Sequence, residues 1–193
     1  MDFLELAQAR FSVLEYEKKA VEPEKIEKIL MAGIAAPTAC NNQPQRILLI
    51  NDDERREKLN RVIPSRSYVP VAFLVCYDES ESWIRPMDGK NSGEIDAAVS
   101  ATHMMLEATD LGLGSIWVMY WDPEKMKQAF LLSDSIIPAA LLIVGYRAKT
   151  AVPRKGHLER KQIGEILLQA VDPENDASEE ARKEAGANSC GSA

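Results

Sequence analysis

One stretch, Ile95 to Trp121, limits what this chain can fold into more than any other. Ile95, Val99, Met105, Leu106 and Thr109 follow one helical stripe, and Ala97, Ala101, Met104, Ala108 and Leu111 fill the other side. A helix that is apolar around its circumference is expected to be covered all round, in the core of one subunit or between two. Asp96, His103, Glu107 and Asp110 interrupt it well short of the ~20 uninterrupted apolar residues of a membrane span. Gly112 and Gly114 are expected to stop it, because glycine takes the positive φ of a helix C-terminus without a Cβ penalty. Ser115 to Tyr120 then reads as a strand.

The remaining elements arrange themselves around this helix. Asp2 to Arg10 reads as a short helix with Phe3, Leu4, Leu6 and Ala7 available for burial. Pro23 opens a second helix, with Ile26, Ile29, Leu30 and Ile34 at helical spacing. Arg46 to Asn51 is a predicted strand, and Asp52-Asp53-Glu54 caps a helix through Leu59 and Val62. Val69 to Tyr77 and Pro138 to Tyr146 are nearly continuous apolar runs of strand length, as in strands covered on both faces. Residues 78–92 read as a surface excursion around Trp83. Pro123 starts a helix through Phe130 and Leu131. A basic irregular connection, Arg147 to Arg160, leads to a last amphipathic helix carrying Ile163, Ile166, Leu167 and Val171. Some four strands and six helices around one sheet predict an α+β layer fold.

At 193 residues the chain fits one domain, able to bury roughly 70% of its unfolded surface without staples. The expected domain is 1–171, followed by a polar tail, 172–193, with a short helix across Ser178 to Ala185. Thirty acidic against 23 basic residues give a net charge of −7, which opposes non-specific attraction to nucleic acid or anionic lipid. Cys40, Cys76 and Cys190 lie far apart with no C-x-x-C pair, as reduced thiols do. The N-terminus is acidic where a signal peptide is basic. The expected location is the cytoplasm, with no membrane contact.

Sequence signatures of phosphate loops, zinc proteases, nucleophile elbows and spaced Cys/His metal sets are absent. Gly112-Leu113-Gly114 follows a helix and precedes a strand, the reverse of a dinucleotide fingerprint. His103, inside the apolar helix, reads as core or interface packing, and His157 as a surface residue. Cys40 is expected to be a small buried filler, since no base stands near it in sequence. What remains is a set of anion and heterocycle binders: Arg10 with Ser12, the polar loop Thr38 to Gln43, and Arg160-Lys161. Together they suit a phosphorylated aromatic cofactor.

Four of these segments, in this order, resemble the FMN-dependent nitroreductase family from Leu4 to Leu168. Arg10-Phe11-Ser12-Val13-Leu14 is similar to the family's R-R-S-x-R, and Ala36 to Gln45 to A-P-S-x-x-N-x-Q-P-W. Asp96 to Trp117 resembles D-x-x-x-A-x-x-x-M-x-L-A-A-x-x-L-G-L-G-S-x-W, and Ile137 to Tyr146 the strand ending in L-G-Y. The resemblance implies a central, mainly antiparallel sheet flanked by helices. It also implies an obligate homodimer, the long helix at its interface, with two FMN sites between the subunits. Arg10 and Ser12 would contact the phosphate and ribityl chain, joined by Arg160 and Lys161; an arginine fork suits phosphate because its parallel N–H donors meet two oxygens. Pro37 and Thr38 would lie along the flavin, Asn41 would bond its polar edge and Gln43 would support the loop. Trp117, Val118 and Met119 would present backbone to the ring. The implied activity is two-step. NADH or NADPH delivers hydride to flavin N5 and departs, and a small electron-poor acceptor, a nitroaromatic, a quinone or similar, takes the electrons. No side chain is named catalytic, since the flavin carries the chemistry.

The chain also departs from the family pattern. Phe11 replaces the second arginine, and Leu14 replaces a basic residue commonly set against the N1 side of the flavin. Without that cation the reduced flavin is harder to form, unless another donor such as Arg46 substitutes. Val118-Met119-Tyr120 stands where a glycine is frequent, and Gln45 where a tryptophan is common. Three readings follow: an FMN-dependent oxidoreductase, an FMN-binding or sensing protein with little turnover, and a structural dimer without cofactor.

Overall fold

A computed structural model describes residues 2–64, 68–157 and 159–168 of the chain. It divides into two compact units, Met1–Lys155 and Gly156–Ala193, each taken by itself below. The predicted tail 172–193 and Val171 lie outside the described residues.

The first unit contains, in order, α1 (Phe3–Ala9), α2 (Pro23–Ile34), β1 (Gln45–Ile50), α3 (Asp53–Val62), β2 (Val71–Asp78), α4 (Gly93–Asp110), β3 (Gly114–Val118), α5 (Pro123–Phe130) and β4 (Ile136–Gly145). Capping chemistry sets the helix starts. Asp2 and Glu5 form a reciprocal capping box on α1, Asp52 accepts from Arg55 N–H at 2.8 Å, and Asp122 accepts from the N–H groups of Glu124 and Lys125. Each side-chain oxygen satisfies a donor that the helix itself leaves unpaired.

The four strands form one antiparallel sheet in the order β1-β2-β4-β3, so β1 and β3 are its edges. The apolar runs became the two central strands, as strands covered on both faces should. Pro138 sits on β4 where the register with β2 shifts between Val75 and Cys76, the kind of irregularity at which a sheet tolerates a residue without an N–H. Successive residues of β2 and β4 point to opposite faces. Phe73, Val75, Leu142 and Val144 meet Ile29 of α2 and Ala97, Ala101, Met104 and Ala108 of α4. Ala72, Leu74, Leu141 and Ile143 meet Leu59 of α3 and Met126 of α5 on the other side.

α2 and α4 approach closely at Gly33, where a Cβ would lie 2.9 Å from Met104 Cγ and 3.0 Å from Ser100 Oγ. The Ser100 hydroxyl donates to Gly33 O at 2.9 Å, so a buried polar group is satisfied across the contact.

Several expectations need correction. Phe3 and Leu4 of α1 are 71% and 65% exposed, and only Leu6 and Ala7 are half-buried. Within one chain α4 is not covered all round: Ile95 is 54% exposed, and Ala98, Val99, Met105 and Leu106 are only half-buried. Gly112 takes a φ of 77° as expected, but Gly114 does not have positive φ. Its role is space, because a Cβ there would lie 2.5 Å from Arg147 Cγ and 2.6 Å from Val13 Cγ2. β3 ends at Val118, two residues earlier than predicted. In the second unit α6 runs only from Ile163 to Ile166. Among the described residues no helix is long and apolar enough to cross a membrane.

Candidate functional site

After α1 the chain becomes extended and docks on the β3 edge. Ser12 bridges Ser115 in parallel, Val13 N–H donates to Ser115 O at 2.9 Å, and the Tyr16 hydroxyl lies 3.1 Å from the carbonyls of Val13 and Ile143. Burial pushes the Tyr16 phenol well above its ordinary range. Extended backbone alternates its side chains. Phe11 and Val13 are therefore buried, Ser12 and Leu14 are exposed, and Arg10 is half-buried. The Arg147 guanidinium stands 5.6 Å over the Phe11 ring, which places that ring in the packing of this edge.

Beside this segment lies an apolar cavity of about 180 Å³, lined by Leu14, Val118, Tyr68, Tyr120, Ile116 and Ile143 among others. No charged residue is among its described lining. A wider opening of about 600 Å³ shares Tyr120 with it and adds Met119, Trp121 and Arg61. Of the predicted strand residues, Val118 faces the cavity. Trp117 packs towards α4 and its Nε1–H donates to Met119 Sδ, while Met119 is exposed. Trp121 packs on the opposite face of the sheet, against the α3 and α5 side.

The second half of the predicted set is the loop from Pro37 to Gln43, which leads into β1. Pro37, Asn41 and Gln43 are exposed and Thr38 is half-buried. Cys40, Asn41 and Gln43 have φ values of 52°, 56° and 52°. Asparagine tolerates this left-handed region, but cysteine and glutamine enter it only when their surroundings compel them. Cys40 is exposed, not the buried filler expected. Gln43 N–H donates to Thr38 Oγ1 at 3.0 Å, Asn42 Nδ2 to Glu81 O at 3.1 Å, and Ala39 N–H to Asp96 Oδ1 at 2.9 Å. Arg46 donates to the carbonyls of Gln43 and Gln45 at 3.1 and 3.0 Å and pairs with Glu81. That guanidinium is committed to the loop and is no spare cation for Leu14 of the same chain. Asp96 and Arg46 are the site residues that sequence reasoning missed as loop supports.

The two halves stand apart. The loop enters β1 at one edge of the sheet and Ser12 bridges β3 at the other, three strand spacings or ~14 Å across. Along α4 the loop attaches at Asp96, whereas β3 departs beyond Asp110, a further ~21 Å of helix axis. One chain therefore does not bring Arg10, Ser12 and Leu14 to Pro37, Thr38, Asn41 and Gln43.

Arg160 and Lys161 belong to the second unit and are exposed there. Arg160 Nη1 donates to Glu159 O at 2.8 Å, and its Nη2 lies 3.5 Å from His157 Nδ1. Among the described residues no group of His, Cys, Asp and Glu could hold a metal ion.

Proteins of known family resemble this chain over most of its length. It is 28% identical over 178 residues to an NADH dehydrogenase/NAD(P)H nitroreductase of Methanothermobacter thermautotrophicus, covering 83% of this chain and 88% of that protein. A nitroreductase family protein of Clostridium difficile superposes with a TM-score of 0.83 at 39% identity, covering 89% of this chain and all of the other. A nitroreductase of Desulfovibrio desulfuricans, solved in complex with FMN, gives a TM-score of 0.70 at 28% identity, covering 88% of this chain and 97% of its own. The profile of the nitroreductase family matches residues 7–66 and 69–146. With most of the first unit inside that match, and the predicted α+β architecture present, the chain belongs to the nitroreductase family.

Proposed function

We propose that two copies of this chain form an FMN-dependent oxidoreductase that passes electrons from NADH or NADPH to an electron-poor acceptor such as a nitroaromatic or a quinone. The observation that carries this reading is the separation of the binding set onto opposite sheet edges. A two-fold pair sets the β3 edge of one copy beside the loop of the other, and does so twice. The uncovered apolar stripe of α4 supplies a surface for such pairing.

The residues suit FMN. Arg10 and Ser12 offer a guanidinium and a hydroxyl for a phosphate and a polyol. The uncharged cavity behind Leu14 and Val118 offers an apolar wall to a flat ring. Asn41, exposed and held left-handed, offers both a donor and an acceptor to a polar heterocycle edge. Arg160 and Lys161 are further phosphate ligands in this reading, and residues 1–171 form the flavin domain with 172–193 as an appended tail. The flavin supplies two-electron chemistry when bound. The protein's part is to hold the phosphate, keep water from the ring face and leave an opening at Met119, Tyr120 and Trp121 for the acceptor. Two thiols unpaired in the structure suit the reducing cytoplasm.

A second reading, an FMN-binding protein with little turnover, is favoured by one observation: no cation is among the described lining of the cavity at Leu14. The visible spectrum of purified protein, FMN titration, and stopped-flow mixing with NADH and NADPH separate the readings. The oxidoreductase is yellow, bleaches within seconds and reoxidises with menadione, and Arg10→Ala weakens FMN retention. Bound flavin that resists reduction leaves the second reading, and protein that takes up no FMN overturns both.

A further inference from the structure

We propose that Asp96 is the positioning residue of the cofactor loop. Its carboxylate grips Ala39 N–H and so fixes the left-handed turn that presents Asn41. The proposal rests on the FMN reading above and names the part of the fold on which that reading depends.

Asp96 is 4% exposed, and its two oxygens have separate tasks. Oδ1 accepts from Ala39 N–H at 2.9 Å, and Oδ2 accepts from the Ser92 hydroxyl at 2.8 Å. No ion-pair partner of Asp96 is found among the described residues. It stands in the first turn of α4, where the helix's free N–H groups and dipole favour a negative charge. A buried carboxylate with this support is a strong acceptor, and its bond to a backbone N–H is charge-assisted.

The post on which it stands is itself locked. Ser92 N–H donates to Trp83 O at 2.9 Å and Gly93 N–H to Asn91 Oδ1 at 2.7 Å. Gly93 is pressed so closely on β2 that a Cβ would lie 2.1 Å from the Tyr77 ring. Asp96 N–H bonds Ser92 O at 3.0 Å. The carboxylate therefore has little freedom to follow the loop, and the loop must come to it.

Of the hydrogen bonds tying this loop to the rest of the fold, those from Asn42 and to Gln43 act after the left-handed pair Cys40 and Asn41. Among the described residues, the Asp96 bond is the one that acts before it. Backbone pinned on both sides of a strained pair keeps that pair from relaxing. Without the grip at Ala39 the pair is held only by bonds within the loop, such as that from Gln43 N–H to Thr38 Oγ1, so Cys40 and Asn41 return more readily to ordinary φ and the Asn41 side chain leaves the position it would hold towards a flavin. The substitution Asp96→Asn keeps most of this arrangement: the carbonyl oxygen of the new amide accepts from Ala39, and its NH2 donates to a Ser92 hydroxyl that turns to accept.

The test is FMN titration of wild type, Asp96→Asn, Asp96→Ala, Asn41→Ala and the double variant Asp96→Ala/Asn41→Ala, with amide hydrogen exchange of the flavin-free proteins. Asp96→Ala weakens FMN by about tenfold, Asp96→Asn does so by less than about threefold, and the Asp96→Ala step disappears in the Asn41→Ala background, as expected of residues that act as one unit. Exchange at Ala39 accelerates in Asp96→Ala and not in Asp96→Asn. Equal losses with and without Asn41, or Asp96→Asn as poor as Asp96→Ala, overturn the proposal. FMN bound equally by wild type and Asp96→Ala overturns it while the flavin reading stands, and wild-type protein that takes up no FMN overturns both.

Discussion

The hydroxyl of Tyr146 contacts both carboxylate oxygens of Glu22, at 2.7 and 2.8 Å. The same hydroxyl accepts from Lys25 Nζ at 3.0 Å, and that ammonium also donates to Leu111 O at the end of α4. Lys19 Nζ stands 3.6 Å over the Tyr146 ring. A residue just past β4 thus ties the start of α2 to the end of α4.

Tyr146 holds the Glu22 carboxyl below its usual range, chiefly through this hydrogen bond. A carboxylate depressed on folding adds stability above its unfolded pKa and loses it as pH falls through the folded value. Tyr146→Phe is therefore expected to lower Tm at neutral pH. The gap should narrow on acidification from the ordinary glutamate range near ~4.3 downwards. Circular dichroism melts of the two proteins at a series of pH values measure it, and a gap that widens in acid would refute the assignment.

Cys76 behaves in the opposite sense. Burial in β2 pushes its thiol up to about 12, so folding disfavours the thiolate and the associated stability is complete below the unfolded pKa. That stability declines as pH rises from the ordinary thiol range near ~8.5. Urea denaturation of wild type should show this alkaline decline, and Cys76→Ala should flatten it. In mapped alkylation of the native protein at pH ~8, Cys40 is modified and Cys76 is not.

Leu14 lines the apolar cavity beside β3 and tests the flavin reading directly. In that reading Leu14→Lys would place a cation where negative charge gathers on a reduced ring. It should raise the midpoint potential of bound FMN by about 30 mV, the two-electron equivalent of a single modest interaction. Equilibrium dye titration reads the shift. An unchanged potential would mean that Leu14 does not face the N1 edge.

The features legible in the sequence were those that local chemistry decides. Val71–Cys76 and Ala139–Val144 are apolar without alternation because both faces of each strand are covered. Gly112 ends α4 with positive φ, which glycine takes without a Cβ penalty. Features that depend on partners distant in sequence were not legible. Phe3 and Leu4 have the spacing of a buried stripe, yet nothing among the described residues covers them. Cys40 carries no mark of a left-handed residue, since its conformation is imposed by bonds to Asp96 and Thr38 on either side. In the sequence Asp96 interrupts an apolar helix and opens the third family-like segment, but nothing there assigns its side chain a task. Its function became visible when the fold set Ala39 against it, 57 residues away in sequence.

The division of the binding set between the two sheet edges also has a genetic meaning. If each site is built from the β3 edge of one chain and the loop of its neighbour, a lesion at Arg10 and a lesion at Asn41 belong to different halves. Two such defective proteins, unfolded together and allowed to reassemble, form mixed pairs. In each mixed pair one site collects both lesions and the other collects none. Two inactive alleles of this gene would then complement one another.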